Sequence, residues 1–185
     1  MALTESFMLP LGTIAPPFRL PNVVSGEMQE LDQLRGLKGT LIIFMCNHCP
    51  YVIHLLDDIL KTAKKLLDKK IKTIAISSNS VVTHPQDGPD KMKKLAVSKK
   101  FSFPYLYDRT QGVAKSYKAE CTPDFYLFNE KLTLVYRGRY DKSRPGNQIK
   151  VTGNDLHNAV ELMISNSEQL KIQYPSMGCN IKWHP

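Results

Sequence analysis

The chain lacks a long apolar run. Its 185 residues contain no stretch that approaches the ~18 apolar residues needed for a membrane-spanning helix. Residues 1–7 also lack a basic segment followed by ~7–15 apolar residues, so no secretory signal is visible. We therefore expect a cytoplasmic location and no membrane partner.

Cysteine is scarce, with four residues in the whole chain. That number is too small for a disulfide scaffold, and in a cytoplasmic protein a Cys-x-x-C pair indicates redox or metal chemistry. Cys46 and Cys49 form such a pair, with no second Cys-x-x-C and no His-x-x-x-His elsewhere. A structural zinc site would normally need four clustered ligands and is therefore disfavoured.

Acidic residues are fewer than basic ones, 17 against 25, which gives a net charge of +8. An excess of basic over acidic residues can indicate nucleic-acid binding. Here the lysines group at 61–72 and 91–100, on or beside predicted amphipathic helices. We interpret both groups as the solvent-exposed outer faces of these helices. No aromatic-rich strand pair or zinc-finger spacing accompanies them, so we predict no nucleic-acid partner.

The two paired cysteines lie between a predicted strand and a predicted helix. Apolar and β-branched residues at 40–45 indicate a buried strand, and apolar spacings of three and four indicate a helix from about 51 to 68. The unpaired amides and dipole at a helix N-terminus lower a thiol pKa from about 8.5 to ~3.5–7.5. We therefore predict that Cys46 is the attacking thiolate and Cys49 the resolving thiol.

The order of the other predicted elements indicates an α/β fold. They are a strand at 71–76, a helix at 90–100, an extended piece at 104–108, a short helix at 111–117, a hairpin at 125–128 and 133–137, and a helix from 154 to about 165. Alternating strands and helices imply parallel pairing, and the hairpin adds antiparallel strands. We predict a mixed central sheet with helices on both faces.

The length suits one domain that spans residues 1–185. Its core is expected at about 40–165. Residues 1–39 form an irregular N-terminal extension, with a short edge strand at 18–20 and one helical turn at 31–34. Residues 166–185 form a C-terminal tail in which no hydrophobic period is visible.

This order of elements, with Thr122-Pro123 before the hairpin, resembles the thioredoxin fold. In that fold a cis-proline faces the Cys-x-x-C motif across the active site. The resemblance implies that Pro123 is this proline, that it presents a backbone edge to the substrate beside Thr122, and that it discourages metal capture by the thiols.

Further motifs are similar to those of redoxins, the group that includes the AhpC/TSA peroxiredoxins. They lie at 12–20, 46–52, 121–125, 136–139, 143–145 and 178–183. Together they resemble the peroxiredoxin-like proteins that carry a thioredoxin-type Cys-x-x-C. The resemblance covers nearly the whole chain and implies redox chemistry.

The residues that support peroxide chemistry in true peroxiredoxins differ here. Those enzymes use a Pro-x-x-x-Thr-x-x-Cys motif and an arginine. With Cys49 aligned to their peroxidatic cysteine, Ile42 stands at the proline, Cys46 stands at the threonine, and the arginine falls close to Pro123. Electrostatic stabilisation of the peroxide transition state is then largely missing. Dithiol–disulfide exchange needs only the two thiols, and we predict that reaction.

Three further residues are candidates for the site. A partly cationic His48 would stabilise the Cys46 thiolate and give a redox potential above that of thioredoxin. Cys121, beside Pro123, is either a third redox partner or a small buried side chain. Cys179, in the tail, is either a resolving thiol that reaches back or a packed, idle thiol.

The predicted function is that of a thiol–disulfide oxidoreductase without cofactor or metal. Its substrate is a protein or small-molecule thiol or disulfide, and an unidentified reductant recycles the enzyme.

One alternative is an antioxidant thiol peroxidase, in which Cys49 or Cys46 reduces a hydroperoxide and a partner thiol resolves the sulfenate. A less favoured alternative is a module in which Cys46, Cys49 and either His48 or His54 hold copper or zinc. The last alternative is a redox-inert binding domain.

Overall fold

A computed structural model describes residues 3–185; residues 1 and 2 of the predicted extension and domain lie outside the described residues. The strands of the described part are β1 (Leu3–Glu5), β2 (Arg19–Pro21), β3 (Met28–Glu30), β4 (Gly39–Phe44), β5 (Ile71–Ser77), β6 (Tyr105–Tyr107), β7 (Cys121–Thr122), β8 (Asp124–Asn129), β9 (Leu134–Gly138) and β10 (Met177–Asn180). The α-helices are α1 (Leu31–Leu34), α2 (Pro50–Asp68), α3 (Pro89–Ser98), α4 (Gly112–Ser116) and α5 (Asn154–Ile164). A short 3-10 helix lies at Pro85–Asp87.

The central sheet has five strands in the order β6-β5-β4-β8-β9. Strand β5 pairs in parallel with both β4 and β6, whereas β8 lies antiparallel to both β4 and β9. The predicted mixed sheet and its closing hairpin are therefore confirmed. Because β4 and β5 are parallel neighbours, the loops that follow them start at the same edge of the sheet.

The two faces of β4 contribute to separate apolar cores. Leu41 and Ile43 pack in the core that contains α2, α3 and α5, whereas Ile42 and Phe44 pack in the core that contains α1, α4 and the N-terminal segment. A strand buried on both faces is apolar throughout instead of alternating with polar residues. This burial fixes the end of β4, and with it the start of the loop that carries Cys46.

Helix α2 begins at Pro50, directly after the second cysteine, and ends at Asp68. Proline suits the first helical position, where its missing N–H costs no hydrogen bond and its φ is already helical. The side chains that α2 buries against the sheet include Val52, Leu55, Leu56, Ile59, Ala63 and Leu66. No helix in residues 3–185 has the length and apolar character needed to cross a bilayer.

A second sheet, of three short strands, is absent from the predicted elements. Strand β10 lies between β1 and β7 and is antiparallel to both. Strands of two to four residues are too short to produce a visible alternation, which explains why the tail shows no period. This sheet places Cys179 directly opposite Thr122.

Gly178 sets how closely β10 approaches β7. A Cβ atom at this position would lie 2.0 Å from the Thr122 carbonyl oxygen, and backbone cannot move away as a flexible side chain can. We expect Gly178→Ala to lower the free energy of unfolding by about 2–3 kcal/mol, as overpacking does. Denaturant unfolding checks this, with Gly112→Ala as control, since its Cβ would meet only the Thr110 side chain. Equal stability of the two variants would contradict the prediction.

Candidate active site

The sulfur atoms of Cys46 and Cys49 both lie against Thr122. The Cys46 Sγ is 3.5 Å from the Thr122 hydroxyl oxygen, and the Cys49 Sγ is 3.1 Å from the Thr122 carbonyl oxygen. The following bond, Thr122–Pro123, is cis. Both thiols are reduced and buried. The structure therefore brings Cys46, Cys49, Thr122 and Pro123 together, as the resemblance implies.

The two thiols behave as one hydrogen-bonded pair. The hydrogen bond from Cys46 is the main cause that lowers the pKa of Cys49, to about 5, and it outweighs the opposing effect of burial. The same hydrogen bond, followed by burial and by the nearby Asp87 carboxylate, raises the pKa of Cys46. At neutral pH this order of pKa values favours a negative charge on Cys49 over one on Cys46.

This charge distribution differs from the expectation that Cys46 is the more acidic thiol. The helix N-cap is Cys49 itself, because α2 starts at Pro50. The Val52 amide in the first turn therefore helps to lower the pKa of Cys49. The predicted role of Cys46 as the attacking sulfur is a separate matter and stays a prediction.

His48 lies on the other side of Cys46. Its Nδ1 atom is 3.9 Å from the Cys46 Sγ and only 2.6 Å from the Asp87 Oδ2. The ring of His84 stacks on the His48 ring, with their centroids 5.1 Å apart. The closest partner of His48 is thus a carboxylate, which offsets the positive charge that the imidazole could offer to Cys46.

Asp87 is a residue of this site that the sequence analysis did not identify. Its Oδ1 accepts hydrogen bonds from the backbone amides of Asn47 and His48, and its Oδ2 accepts one from the Asn79 side chain. Asp87 is fully buried, so these bonds compensate its desolvation. The available signal was Asn79, which follows β5 and therefore lies at the same sheet edge as the loop after β4.

Asp87→Asn is expected to make the Cys46–Cys49 pair more oxidising. The carboxylate raises the pKa of Cys46, so its removal stabilises a negative charge on the pair and hence the reduced form. A shift of about 30 mV corresponds to about one unit of thiol pKa. Titration against glutathione measures it, with the exposed Asp90→Asn as a charge-matched control. A midpoint that moves equally in both variants would contradict the prediction.

The other two cysteines occupy different positions relative to the pair. Cys179 is hydrogen-bonded to Cys49. Cys121 precedes Thr122 in β7 and pairs with Asn180, so its side chain points to the opposite side of the strand. Burial is the main cause that raises the pKa of Cys121, followed by the nearby Asp124 carboxylate. Cys121 is buried, and both predicted roles of its thiol stay predictions.

Cys46, His48 and Asp87 are also the residues that could hold a metal ion. One donor atom from each lies within 4.8 Å of the others. Both Asp87 oxygens also accept hydrogen bonds, from Asn47, His48 and Asn79. This set shares Cys46 and His48 with the copper or zinc alternative, which stays a prediction.

Comparison with protein-family models gives one match. The model described as the AhpC/TSA family matches residues 11–137. The matched segment contains Cys46, Cys49 and Thr122-Pro123 but ends before Cys179. None of the curated proteins matches this chain significantly.

Several solved structures are similar to this chain over most of its length. An uncharacterized conserved protein from Geobacillus kaustophilus is 45% identical, with a TM-score of 0.98, and the match covers 100% of this chain and 98% of that one. A hypothetical protein from Sinorhizobium meliloti 1021 is 36% identical, with a TM-score of 0.94 and 98% of each chain covered. The thioredoxin domain of a thiol-disulfide oxidoreductase from Bacteroides vulgatus is 21% identical, with a TM-score of 0.65, covering 84% of this chain and 99% of that one. The last similarity confirms the thioredoxin-like fold.

Proposed function

This chain belongs to the AhpC/TSA family, and from that premise we propose that it is a thiol–disulfide oxidoreductase acting through Cys46 and Cys49. Membership of this family indicates a redox enzyme. The choice of dithiol–disulfide exchange over peroxide reduction rests on the geometry around the two sulfurs.

One observation carries the proposal: Thr122 presents a different group to each sulfur. Its hydroxyl faces Cys46, and its carbonyl oxygen faces Cys49. A hydroxyl can donate to a thiolate, whereas a carbonyl oxygen only accepts and therefore suits a protonated thiol. The lower resting pKa is that of Cys49, whereas these contacts support the attacking form, in which Cys46 is the thiolate and Cys49 the thiol. The Cys46–Cys49 hydrogen bond provides the route by which the proton moves to Cys49.

The proposed reaction proceeds in two exchanges. The Cys46 thiolate attacks one sulfur of a substrate disulfide, forming a mixed disulfide and releasing the first substrate thiolate, which takes up a proton. Cys49 loses its proton and attacks the Cys46 sulfur, releasing the second substrate thiol. Two electrons have then passed from the protein pair to the substrate, and Cys46 and Cys49 are joined. The reverse sequence oxidises a dithiol substrate.

Redox titration against glutathione, read by mass after alkylation, tests the proposal. Trypsin places Cys46 and Cys49 together in peptide 39–61, so their disulfide is internal to one peptide. We expect a single reversible two-electron step in that peptide, which Cys46→Ser abolishes and Cys121→Ser leaves unchanged. Peroxide consumption, followed on the same sample, is expected to be slow.

Two results would contradict the proposal. Rapid peroxide loss with a sulfenate trapped on Cys49 would indicate the thiol peroxidase alternative, in which a partner thiol resolves the oxidised sulfur. A peptide 39–61 that never forms its internal disulfide across the titration would indicate a redox-inert binding domain. The expected outcome requires both the two-electron step and the slow peroxide reaction.

A further inference from the structure

Strand β10 brings the tail cysteine to the redox pair. In the β7–β10 ladder Cys179 is directly opposite Thr122, the residue that contacts both sulfurs of the pair. Directly opposite residues of antiparallel strands place their side chains on the same face. The side chain of Cys179 therefore faces the pair, and it is almost completely buried there.

Cys49 receives hydrogen bonds from two thiols. Cys46 contributes one, and Cys179 contributes the other, and both lower the pKa of Cys49. Burial first, and then this hydrogen bond, raises the pKa of Cys179 to about 12. The Cys49 sulfur thus interacts with the thiols of both Cys46 and Cys179.

We propose that Cys179 is a third redox-active thiol, and that Cys49 forms a disulfide with either Cys46 or Cys179. This inference rests on the proposed function, because it starts from the Cys46–Cys49 disulfide. It assigns a chemical role to the C-terminal tail, which lies beyond the segment that matches the family model.

The exchange conserves atoms and electrons. Cys179 loses its proton and attacks the Cys49 sulfur of the Cys46–Cys49 disulfide. The bond between Cys46 and Cys49 breaks, the bond between Cys49 and Cys179 forms, and Cys46 leaves as a thiolate that takes up a proton. No external oxidant or reductant is needed, since the oxidised state only moves within the protein.

Oxidation of the pair itself prepares Cys179 for this attack. Burial, the largest cause that raises the pKa of Cys179, remains after oxidation, whereas the smaller contributions of the Cys49 hydrogen bond and the Cys49 charge disappear when Cys49 enters a disulfide. The opposing effect of Lys182 remains. The exchange would leave Cys46 as a reduced thiol and would tie β10 covalently to the start of α2, which it already contacts.

Peptide mapping distinguishes the two disulfides. Trypsin separates the three relevant segments into peptides 39–61, 119–131 and 172–182, which carry the redox pair, Cys121 and Cys179, respectively. The full-length protein is oxidised with diamide, quenched in acid and alkylated. In Cys46→Ser we expect peptide 39–61 to become cross-linked to peptide 172–182. The cross-link should persist in Cys46→Ser/Cys121→Ser and be lost in Cys46→Ser/Cys179→Ser.

The wild-type protein supplies a measurement that does not depend on the folding of any variant. We expect oxidised wild type to contain both the internal disulfide of peptide 39–61 and the cross-link to peptide 172–182. Absence of that cross-link from wild type and from Cys46→Ser, or a cross-link to peptide 119–131 instead, would overturn the inference alone. If Cys179→Ser and wild type both failed to form the internal disulfide, the proposed function would be overturned as well.

Discussion

Asp124→Asn is expected to stabilise the protein progressively as the pH rises from about 5 to about 8. Asp124 is the first residue of β8, directly after Pro123, and is completely buried opposite Phe44. Burial is the main cause that raises the pKa of its carboxyl group to about 7, although the hydrogen bond from the Tyr126 hydroxyl acts in the opposite direction. The other carboxyl oxygen has no hydrogen-bond partner among residues 3–185.

The direction in which stability changes with pH follows from the number of protons that Asp124 binds in the folded and unfolded states. Between about pH 4 and about pH 7 the folded protein keeps the Asp124 proton while the unfolded chain has released it, so stability falls as pH rises. The difference of about 3 units between the two pKa values corresponds to roughly 4 kcal/mol by pH 8. Asparagine does not titrate, so the advantage of the variant should grow by roughly 3 kcal/mol between about pH 5 and pH 8.

Denaturant unfolding of wild type and Asp124→Asn across this pH range measures directly how the stability advantage of the variant grows. Tyr126→Phe serves as a companion variant, because loss of the hydroxyl removes a cause that holds the pKa of Asp124 down. Its stability should begin to fall at the same pH as that of wild type, near the pKa of the unfolded chain, but the fall should continue to a higher pH. A difference between wild type and Asp124→Asn that stays constant with pH would show that Asp124 does not titrate in this range.

Removing Cys46 is expected to raise the pKa of Cys49 by several units. The hydrogen bond from Cys46 is the largest cause of the low value of about 5, so Cys46→Ala removes the main stabilisation of the Cys49 thiolate. If the pKa returned to the ordinary value of about 8.5, only a few per cent of Cys49 would be thiolate at pH 7. Alkylation of Cys49 at that pH should slow accordingly.

Ultraviolet absorbance of the thiolate, followed against pH, checks this prediction. Burial raises the pKa of Cys121 and Cys179, so a transition at low pH belongs to the redox pair. Cys121→Ala should keep the midpoint near 5, whereas Cys46→Ala should move it upward and Cys49→Ala should remove it. A low midpoint that survives in Cys49→Ala would instead place the thiolate on Cys46.

The sequence by itself determined the parts of this protein that depend on local contacts. The buried strand, the loop with Cys46 and Cys49, and α2 follow one another without interruption, so apolar periodicity was enough to predict them. The hairpin of β8 and β9 was predictable for the same reason. Thr122-Pro123 was placed opposite the cysteines only through the resemblance to the thioredoxin fold, since nothing local joins the two segments.

Only the tertiary structure decided which groups surround the two sulfurs. Strands β7 and β10 are too short for a visible pattern, so their pairing, and with it the approach of Cys179 to Cys49, depends on packing between distant segments. Asp87 reaches His48 from a short 3-10 helix whose position is set by hydrogen bonds with Asn47 and Asn79. The lower pKa of Cys49 has the same origin, because a thiol pKa depends on burial and on the donors that the folded chain brings to it.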